Sequence, residues 1–204
     1  MQIERYVGGI LDTNAYLLSE GSNHILIDAP QGANDWLQER AITLSALWLT
    51  HTHFDHVLDV AAIQRQHQCP VLCHALGEAM LADPSILRQF GFDLDFDAAR
   101  ADRLIDEGET LDFAGRNFEL LFVPGHSPDS LCFYQREEAQ LFGGDVLFAG
   151  GVGRADLPGG DWDQLVTGIR QKIFSLPDEV RVWPGHGPAT TVGAEKASNP
   201  YVRP

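Results

Sequence analysis

The six residues His51-Thr-His-Phe-Asp-His56 constrain this chain more than any other part of its sequence. They follow an apolar run at 43–50 that predicts a buried strand, so these polar side chains lie at a strand end. Neutral imidazoles and carboxylates are ligands that zinc, iron and manganese accept, and a His-x-His pair in a turn can direct both rings at one ion. Asp55 and His56 can point to the other side and hold a second ion. The segment therefore predicts half of a two-metal site.

Three later turns supply the other candidate ligands. The segments 124–127 (PGHS), 143–146 (GGDV) and 184–187 (PGHG) each follow a strand-like run. Glycine and proline fix tight turns at strand ends, where α/β sheets place their functional sites. The predicted ligands divide into a first-ion group, a second-ion group and one bridging carboxylate: His51, His53 and His126; Asp55, His56 and His186; and Asp145.

Strands and helices alternate along the chain, which predicts an α/β architecture in layers. The predicted strands are short runs within 3–28 and the segments 43–50, 70–73, 110–113, 117–123, 131–135, 140–143 and 180–183. The predicted helices are 33–42, 57–67, 75–81 and 162–176. At 204 residues, with no repeat and no linker, we expect one domain over 1–204.

The charge balance narrows the possible partners. Fourteen Lys and Arg against 29 Asp and Glu give a formal charge of −15, which repels nucleic acid and anionic membranes. No apolar run approaches the ~18 residues of a membrane span, and the N-terminus lacks the apolar stretch of a secretory segment. Three cysteines imply no disulfide framework, so we expect a cytoplasmic protein. The negative charge leaves a small molecule as the expected substrate. The sequence leaves the oligomeric state open.

The motifs HTHFDH, PGHS, GGD and PGHG, in that order, resemble the metallo-β-lactamase superfamily and, within it, the glyoxalase II branch of hydroxyacylglutathione hydrolases. The stretches Gly150–Asp161 and Thr190–Tyr201 look more specifically like the short bacterial type II glyoxalase proteins. The likeness extends from about Ile3 to Val202, and all seven metal ligands of the family are matched.

This resemblance implies a metallo-β-lactamase-like αβ/βα four-layer sandwich, in which two mixed β-sheets are flanked by helices and a binuclear site lies at one edge. The extra C-terminal helical domain of full-length family members is not expected. Two divalent metal ions per chain are implied, with zinc expected and iron or manganese compatible with the same ligands. Asp55 and Asp145 are implied as catalytic carboxylates as well as ligands.

The activity implied is thioester hydrolysis of an S-2-hydroxyacylglutathione such as S-D-lactoylglutathione. A hydroxide shared by the two metals would attack the acyl carbonyl. A thiolate with an intrinsic pKa of about 8.5 then leaves without a strong general acid. Glutathione-derived thioesters are therefore the expected partners.

Arg154 is the candidate substrate-binding residue. It lies where glyoxalase II proteins present a lysine to the glutathione carboxylate, and Asp156 stands where they present an aromatic residue. Arginine can bind a carboxylate through two hydrogen bonds. Asp156 would repel such a carboxylate, or it would pair with Arg154 and brace the loop.

Two other functions remain open. Persulfide dioxygenases resemble this sequence too, and His51, His126 and Asp145 could hold their single ferrous ion. Asp55, His56 and His186 occur in both groups, so the ligands alone do not separate a hydrolase from a dioxygenase. A metal-binding protein without catalysis is the alternative from another class. Lactam cleavage is disfavoured, because β-lactamases of this fold use cysteine where Asp145 stands and usually lack His56.

Two further segments have ordinary structural interpretations. His67, Cys69, Cys73 and His74 could form another zinc site, but buried thiols in a strand are the default. The acidic run at 92–97 lacks the glycine and the last glutamate of a calcium loop. We expect it to be a lid with its phenylalanines turned inward.

Overall fold

The computed structural model describes residues 1–86 and 96–204. The chain divides into two compact units, Met1–Ile105 and Asp106–Pro204, and each unit contains one six-stranded sheet. The single domain expected over 1–204 stays a prediction.

The sheet of the first unit follows chain order. Its strands are β1 (Gln2–Gly8), β2 (Thr13–Glu20), β3 (Asn23–Ile27), β4 (Ala46–Trp48), β5 (Val71–His74) and β6 (Arg103–Ile105). β1, β2 and β3 pair antiparallel, whereas β3 to β6 pair parallel. Parallel neighbours need a crossover, which explains why the helices of this unit all come after β3.

The helices of the first unit are short. They are α1 (Ala33–Glu39), α2 (Phe54–Val57), α3 (Val60–His67) and α4 (Glu78–Ala82), with a 3₁₀ turn at Ala75–Gly77 before α4. Apolar residues of these helices and of the strands form one buried core, which includes Leu37, Leu47 and Ile63. The expected helices at 33–42, 57–67 and 75–81 are confirmed with shorter or split boundaries.

The sheet of the second unit has the order β14-β13-β10-β9-β8-β7. Its strands are β7 (Thr110–Phe113), β8 (Arg116–Phe122), β9 (Leu131–Gln135), β10 (Gln140–Gly144), β13 (Arg181–Pro184) and β14 (Thr190–Thr191). All neighbours pair antiparallel except β10 and β13, which are parallel. A separate hairpin consists of β11 (Leu147–Phe148) and β12 (Gly151–Val152).

Two helices belong to the second unit, α5 (Trp162–Gly168) and α6 (Val192–Ser198). The sequence pattern predicts one helix over 162–176, but the α-helix ends at Gly168 and continues as a π-helical turn at Ile169–Ile173. The apolar spacing persists through this turn, so the pattern does not reveal the change in hydrogen bonding. The pattern also does not reveal α6. Its seven residues include Gly193 and Lys196, so they show no continuous apolar face.

Of the predicted lid at 92–97, residues 92–95 lie outside the described residues. Phe96, the first described residue after them, packs against the core of the first unit. In the part of the chain that the structure describes, no helix is long and apolar enough to cross a bilayer.

The start of α5 gives a test of the local structure. The Asp161 carboxylate accepts a hydrogen bond from the Gln164 backbone N–H at 3.0 Å and another from the Gln164 side chain at 3.0 Å. Asp161→Ala removes this N-cap and should lower the free energy of unfolding by about 1 kcal/mol, measured by urea denaturation. Asp161→Ser keeps a capping oxygen and should retain most of the stability, whereas equal losses in both variants would contradict the capping role.

Candidate metal centre

The candidate ligands of the first unit follow the carboxyl end of β4, which lies beside the end of β3. These strands pair parallel with Ile27 opposite Trp48, so the residues that follow them emerge at the same edge. Asp28 follows β3, and Thr50 and His51 lie just beyond β4. The backbone N–H of Asp28 donates to the Trp48 carbonyl at 2.9 Å, and the N–H of Thr50 donates to Asp28 Oδ1 at 2.8 Å. The two strand ends are therefore joined through Asp28.

The three histidines of the HTHFDH segment are close together. The ring centroids of His51 and His53 are 4.8 Å apart at an interplanar angle of 83°, and those of His51 and His56 are 4.1 Å apart. Ligand atoms of His51 lie within 4.8 Å of ligand atoms of both His53 and His56. His53 is the N-cap residue of α2, and that helix carries Asp55 and His56 on its single turn. The structure therefore brings the three imidazoles of this segment together.

Asp28 was not predicted, and it orients two of these histidines. Its Oδ2 accepts hydrogen bonds from His56 Nδ1 at 2.8 Å and from the Thr50 hydroxyl at 2.8 Å. Because that hydroxyl donates its proton to Asp28, it accepts from His51 Nδ1, which lies 3.1 Å away. Both rings thus have their proton on Nδ1, and Nε2 presents a lone pair. A carboxylate that orients a metal-binding imidazole in this way is a common partner of metal ligands.

Asp55 has its own partner in the first unit. Its Oδ2 accepts a hydrogen bond from the Thr13 hydroxyl at 2.7 Å, and the same oxygen lies 3.5 Å from His56 Nε2. Thr13 begins β2, so the strand next to β3 fixes the rotamer of this carboxylate.

The second group of candidate ligands also lies at strand ends. β8 and β10 are both antiparallel to β9, and β10 is parallel to β13, so β8, β10 and β13 run in one direction. The residues after their carboxyl ends include His126, Asp145 and His186 respectively. Asp145 Oδ2 lies 3.4 Å from Nε2 of His126 and 3.4 Å from Nε2 of His186. The structure therefore brings these three predicted ligands together.

The turns that hold the second group require glycine at two places. Gly125 has a φ of 131°, and a Cβ there would lie 2.5 Å from the Asp161 carbonyl oxygen. Gly153 is buried, and its Cβ would lie 2.0 Å from the Asp145 carbonyl oxygen and 3.0 Å from the His126 ring. Real Cβ atoms do not approach so closely, so residue 153 must lack a side chain for the loop to lie against these ligands.

His126 is oriented by a backbone group. Its Nδ1 lies 2.8 Å from the Arg154 carbonyl oxygen, which can only accept a hydrogen bond. The proton of the neutral ring is therefore on Nδ1, and Nε2 presents its lone pair toward Asp145. The sequence suggested a role for the side chain of Arg154, whereas this contact is made by its main chain.

The donor set fits divalent metal ions. In each unit a carboxylate oxygen lies about 3.4–3.5 Å from an imidazole Nε2 whose proton is held on the other nitrogen. Two such electron-rich atoms repel each other unless a cation, either a proton or a metal ion, lies between them. Nitrogen and oxygen donors of this kind suit zinc, iron and manganese.

The side chain of Arg154 pairs with Asp156. The distances are 2.6 Å from Nε to Oδ1 and 2.7 Å from the second guanidinium nitrogen to Oδ2, so the pair is bidentate. The guanidinium holds the pKa of Asp156 at about 2, below its usual value. Both side chains are largely exposed, at 63% and 69%. Of the two roles considered for Asp156, the structure shows the ion pair with Arg154 within the loop.

The possible zinc group near β5 is used structurally. His67 Nδ1 accepts from the Leu44 N–H at 3.3 Å, and His74 Nδ1 accepts from the Leu76 N–H at 3.2 Å. Cys69, Cys73 and Cys132 are buried, and burial raises the pKa of Cys69 to about 11 and that of Cys132 to about 12. The thiols of Cys69 and Cys132 are therefore protonated at neutral pH, as expected of core cysteines.

The model of the metallo-beta-lactamase superfamily matches residues 8–186, and the chain belongs to this superfamily of metal-dependent hydrolases. Two relatives align over 99% of this chain and 98% of their own length. One is the Bacillus subtilis protein named "Probable metallo-hydrolase YqgX", at 36% identity. The other is hydroxyacylglutathione hydrolase GloC of Haemophilus influenzae, at 35% identity. The predicted resemblance is thereby confirmed.

Solved structures confirm the predicted fold class, the αβ/βα sandwich of this superfamily. BLEG-1, a B3 metallo-beta-lactamase, has a TM-score of 0.90 and 36% identity over 98% of this chain and 99% of its own. TTHA1623, solved in a di-iron-bound form, has a TM-score of 0.85 and 37% identity over 98% and 100%. ETHE1 from Myxococcus xanthus has a TM-score of 0.82 and 26% identity over 99% and 84%.

Sequence reasoning missed the residues that orient the ligands. Thr13, Asp28 and the Arg154 carbonyl all contact predicted ligands, yet none belongs to a metal-binding motif. Asp28 had a detectable signal, because a carboxylate that directly follows an apolar strand at 23–27 lies at a strand end like the ligands themselves.

Asp28→Asn tests the first of these partners. Asp28 has a φ of 62°, which asparagine tolerates, so the backbone should be retained. The amide has one acceptor oxygen, and its NH₂ would face the donors of Thr50 and His56. We expect zinc affinity, measured by chelator competition, to fall about 10–100-fold. Asp35→Asn, an equal charge change on the exposed face of α1, should leave the affinity unchanged; a loss in both variants would point to net charge instead.

Proposed function

We propose that this protein is a glyoxalase II-like thioesterase that uses two divalent metal ions. His51, His53 and His126 are proposed to hold one ion, and Asp55, His56 and His186 the other, with Asp145 shared between them. Support comes from the candidate ligands of each unit. In the first unit an imidazole Nε2 lies beside Asp55, and in the second unit two imidazole Nε2 atoms lie beside Asp145. Zinc is the proposed metal, and TTHA1623 in its di-iron form makes iron the second choice.

The observation that favours a thioester substrate is the similarity to GloC along the whole length of both proteins. The proposed substrate is an S-2-hydroxyacylglutathione such as S-D-lactoylglutathione. When bound, the metal ions would supply a water of lowered pKa and polarise the acyl carbonyl. The chain's own contribution is positional: Asp28, Thr13 and the Arg154 carbonyl hold the ligand rotamers, so the ions keep a fixed place beside the substrate.

Asp55 and Asp145 are proposed as the catalytic carboxylates. Each is buried and lies against an imidazole, so each can maintain a compact cation site. The leaving thiolate has an intrinsic pKa of about 8.5, so expulsion needs no strong acid from the protein. Because glutathione is kept as the thiol in the cytoplasm, that compartment is the proposed location.

Parallel assays on one metal-analysed preparation test this function. We expect hydrolysis of S-D-lactoylglutathione with about two zinc ions per chain. Asp145→Ala and His53→Ala should abolish turnover and lower metal content while the far-ultraviolet circular dichroism is retained. Undiminished turnover in either variant, or a metal-loaded protein inactive on all thioesters, would contradict the proposal.

A persulfide dioxygenase is the second candidate, favoured by the likeness to ETHE1 and by the Gly153-Arg-Ala-Asp156 loop. One iron per chain with oxygen uptake on glutathione persulfide would establish it in place of the thioesterase. Cleavage of a chromogenic β-lactam, as the likeness to BLEG-1 invites, would identify a lactamase instead. A protein that binds metal and is inactive in all three assays would be a non-catalytic metal binder.

The Arg154–Asp156 pair provides a test of substrate recognition. Arg154 is proposed to bind the glutathione carboxylate, for which Asp156 competes through its two hydrogen bonds. Asp156→Asn should therefore lower KM for S-D-lactoylglutathione several-fold, whereas Arg154→Ala should raise it, with kcat changed little in either. Asp163→Asn, an equal change at an exposed position of α5, is the control. An unchanged KM in both loop variants would exclude Arg154 from substrate binding.

A further inference from the structure

The hairpin formed by β11 and β12, together with Gly153 and Arg154, contacts all three ligands of the second unit. The Phe148 ring meets the His186 ring edge-on, with centroids 6.1 Å apart at 90°. Gly153 lies against the Asp145 carbonyl and the His126 ring, and the Arg154 carbonyl accepts from His126 Nδ1. A shift of this segment, defined here as the ligand brace (147–154), would therefore change the positions of these ligands together.

The ligand brace is fixed on its other side by helix α6. Glu195 Oε2 accepts a hydrogen bond from the Gly150 N–H at 3.0 Å, at the turn of the hairpin. Asn199 Nδ2 donates to the Gly151 carbonyl at 3.0 Å and to Glu195 Oε2 at 2.8 Å. The hairpin strands have two residues each, too few to fix the segment by their own pairing.

Glu195 is an unusual residue to bury. It is 3% exposed, and its Oε1 accepts from the Thr190 hydroxyl at 2.6 Å, so both carboxylate oxygens have donors. Burying a charged group is costly unless it is hydrogen-bonded, and a polar network that is fully bonded rigidifies its surroundings. Asn199 is 0% exposed, and its Oδ1 accepts from the N–H groups of Tyr201 and Val202, which fixes its amide orientation.

We propose that Glu195 and Asn199 are positioning residues for the metal centre, acting through the ligand brace on His126, Asp145 and His186. This inference rests on the proposed metal-binding function. It assigns a physical role to the Thr190–Tyr201 tail, which the sequence singled out only by resemblance. Glu195 is 45 residues from Gly150 and 50 residues from Asp145 in sequence, so no local motif connects them.

Three variants separate positioning from general stability. Glu195→Leu retains bulk and removes both acceptors. Glu195→Gln retains the network, because its oxygen accepts from Gly150 and Asn199 while its NH₂ donates to the Thr190 hydroxyl. Lys196→Met is the matched control on the same helix: it removes the bonds from Lys196 Nζ to Asp178 Oδ1 at 2.7 Å and to the Leu176 carbonyl at 3.0 Å, neither of which involves the ligand brace.

The readouts are zinc affinity by chelator competition, the visible spectrum of the cobalt-substituted protein, and the imidazole tautomers by nitrogen NMR of the metal-free protein. We expect Glu195→Leu to weaken zinc binding about tenfold, to alter the cobalt spectrum and to reduce the Nδ1–H tautomer of His126. Glu195→Gln and Lys196→Met should match the parent within about twofold, although Lys196→Met lowers the melting temperature. If Glu195→Leu does not fold, Thr190→Val removes one bond to Glu195 and should weaken zinc binding about threefold.

The outcomes distinguish this inference from the proposed function. Parent-like zinc affinity and spectra in Glu195→Leu, or an equal loss in Lys196→Met, would overturn the positioning role and leave the metal site intact. If the parent protein binds no zinc, iron or manganese, the proposed function fails. In that case the nitrogen NMR measurement on the metal-free protein alone tests the positioning role. An unchanged His126 tautomer in Glu195→Leu would show that Glu195 does not act on His126.

Discussion

The close approach of carboxylate oxygens to imidazole Nε2 atoms is the constraint on which the candidate site depends. His56 donates its Nδ1 proton to Asp28, and His126 donates its Nδ1 proton to the Arg154 carbonyl. Their Nε2 atoms therefore face Asp55 and Asp145 respectively. Without a cation such contacts are repulsive, and a proton or a metal ion between the two atoms would remove the repulsion. A divalent ion held by these residues would relieve the repulsion and would stabilise the fold in turn.

Both units solve the same problem at the ends of parallel strands. β3 with β4, and β10 with β13, deliver side chains to one edge because parallel neighbours end together. Turns alone would leave these side chains mobile. In the first unit the buried carboxylate of Asp28 joins the two strand ends, and in the second unit the ligand brace lies against the turns. Most of the candidate ligands are themselves buried, and the groups that orient them come from other parts of the same unit.

Much of this could be predicted from sequence because the ligands occur in short motifs. His51, His53 and His56 lie within six residues after a strand, and the glycines around His126, Asp145 and His186 mark the turns at the other strand ends. The principal strands follow from apolar runs, since Leu17, Leu47 and Leu141 are buried as expected. Family resemblance supplied the fold class, which composition and periodicity alone do not specify.

The sequence marks Asp28 only as a carboxylate at a strand end and does not mark Glu195 at all, because the effect of each residue depends on distances that sequence spacing does not contain. Asp28 precedes His56 by 28 positions, and Glu195 follows Gly150 by 45. A carboxylate at either position is compatible with a solvated surface, and only the fold shows that both are buried and hydrogen-bonded. A metal ligand is recognisable by its own chemistry, but its supporting partner is recognisable only by what it contacts. Comparison of family members that carry the same seven candidate ligands should therefore include these buried carboxylates, because Asp28 is hydrogen-bonded to a candidate ligand and Glu195 to the ligand brace.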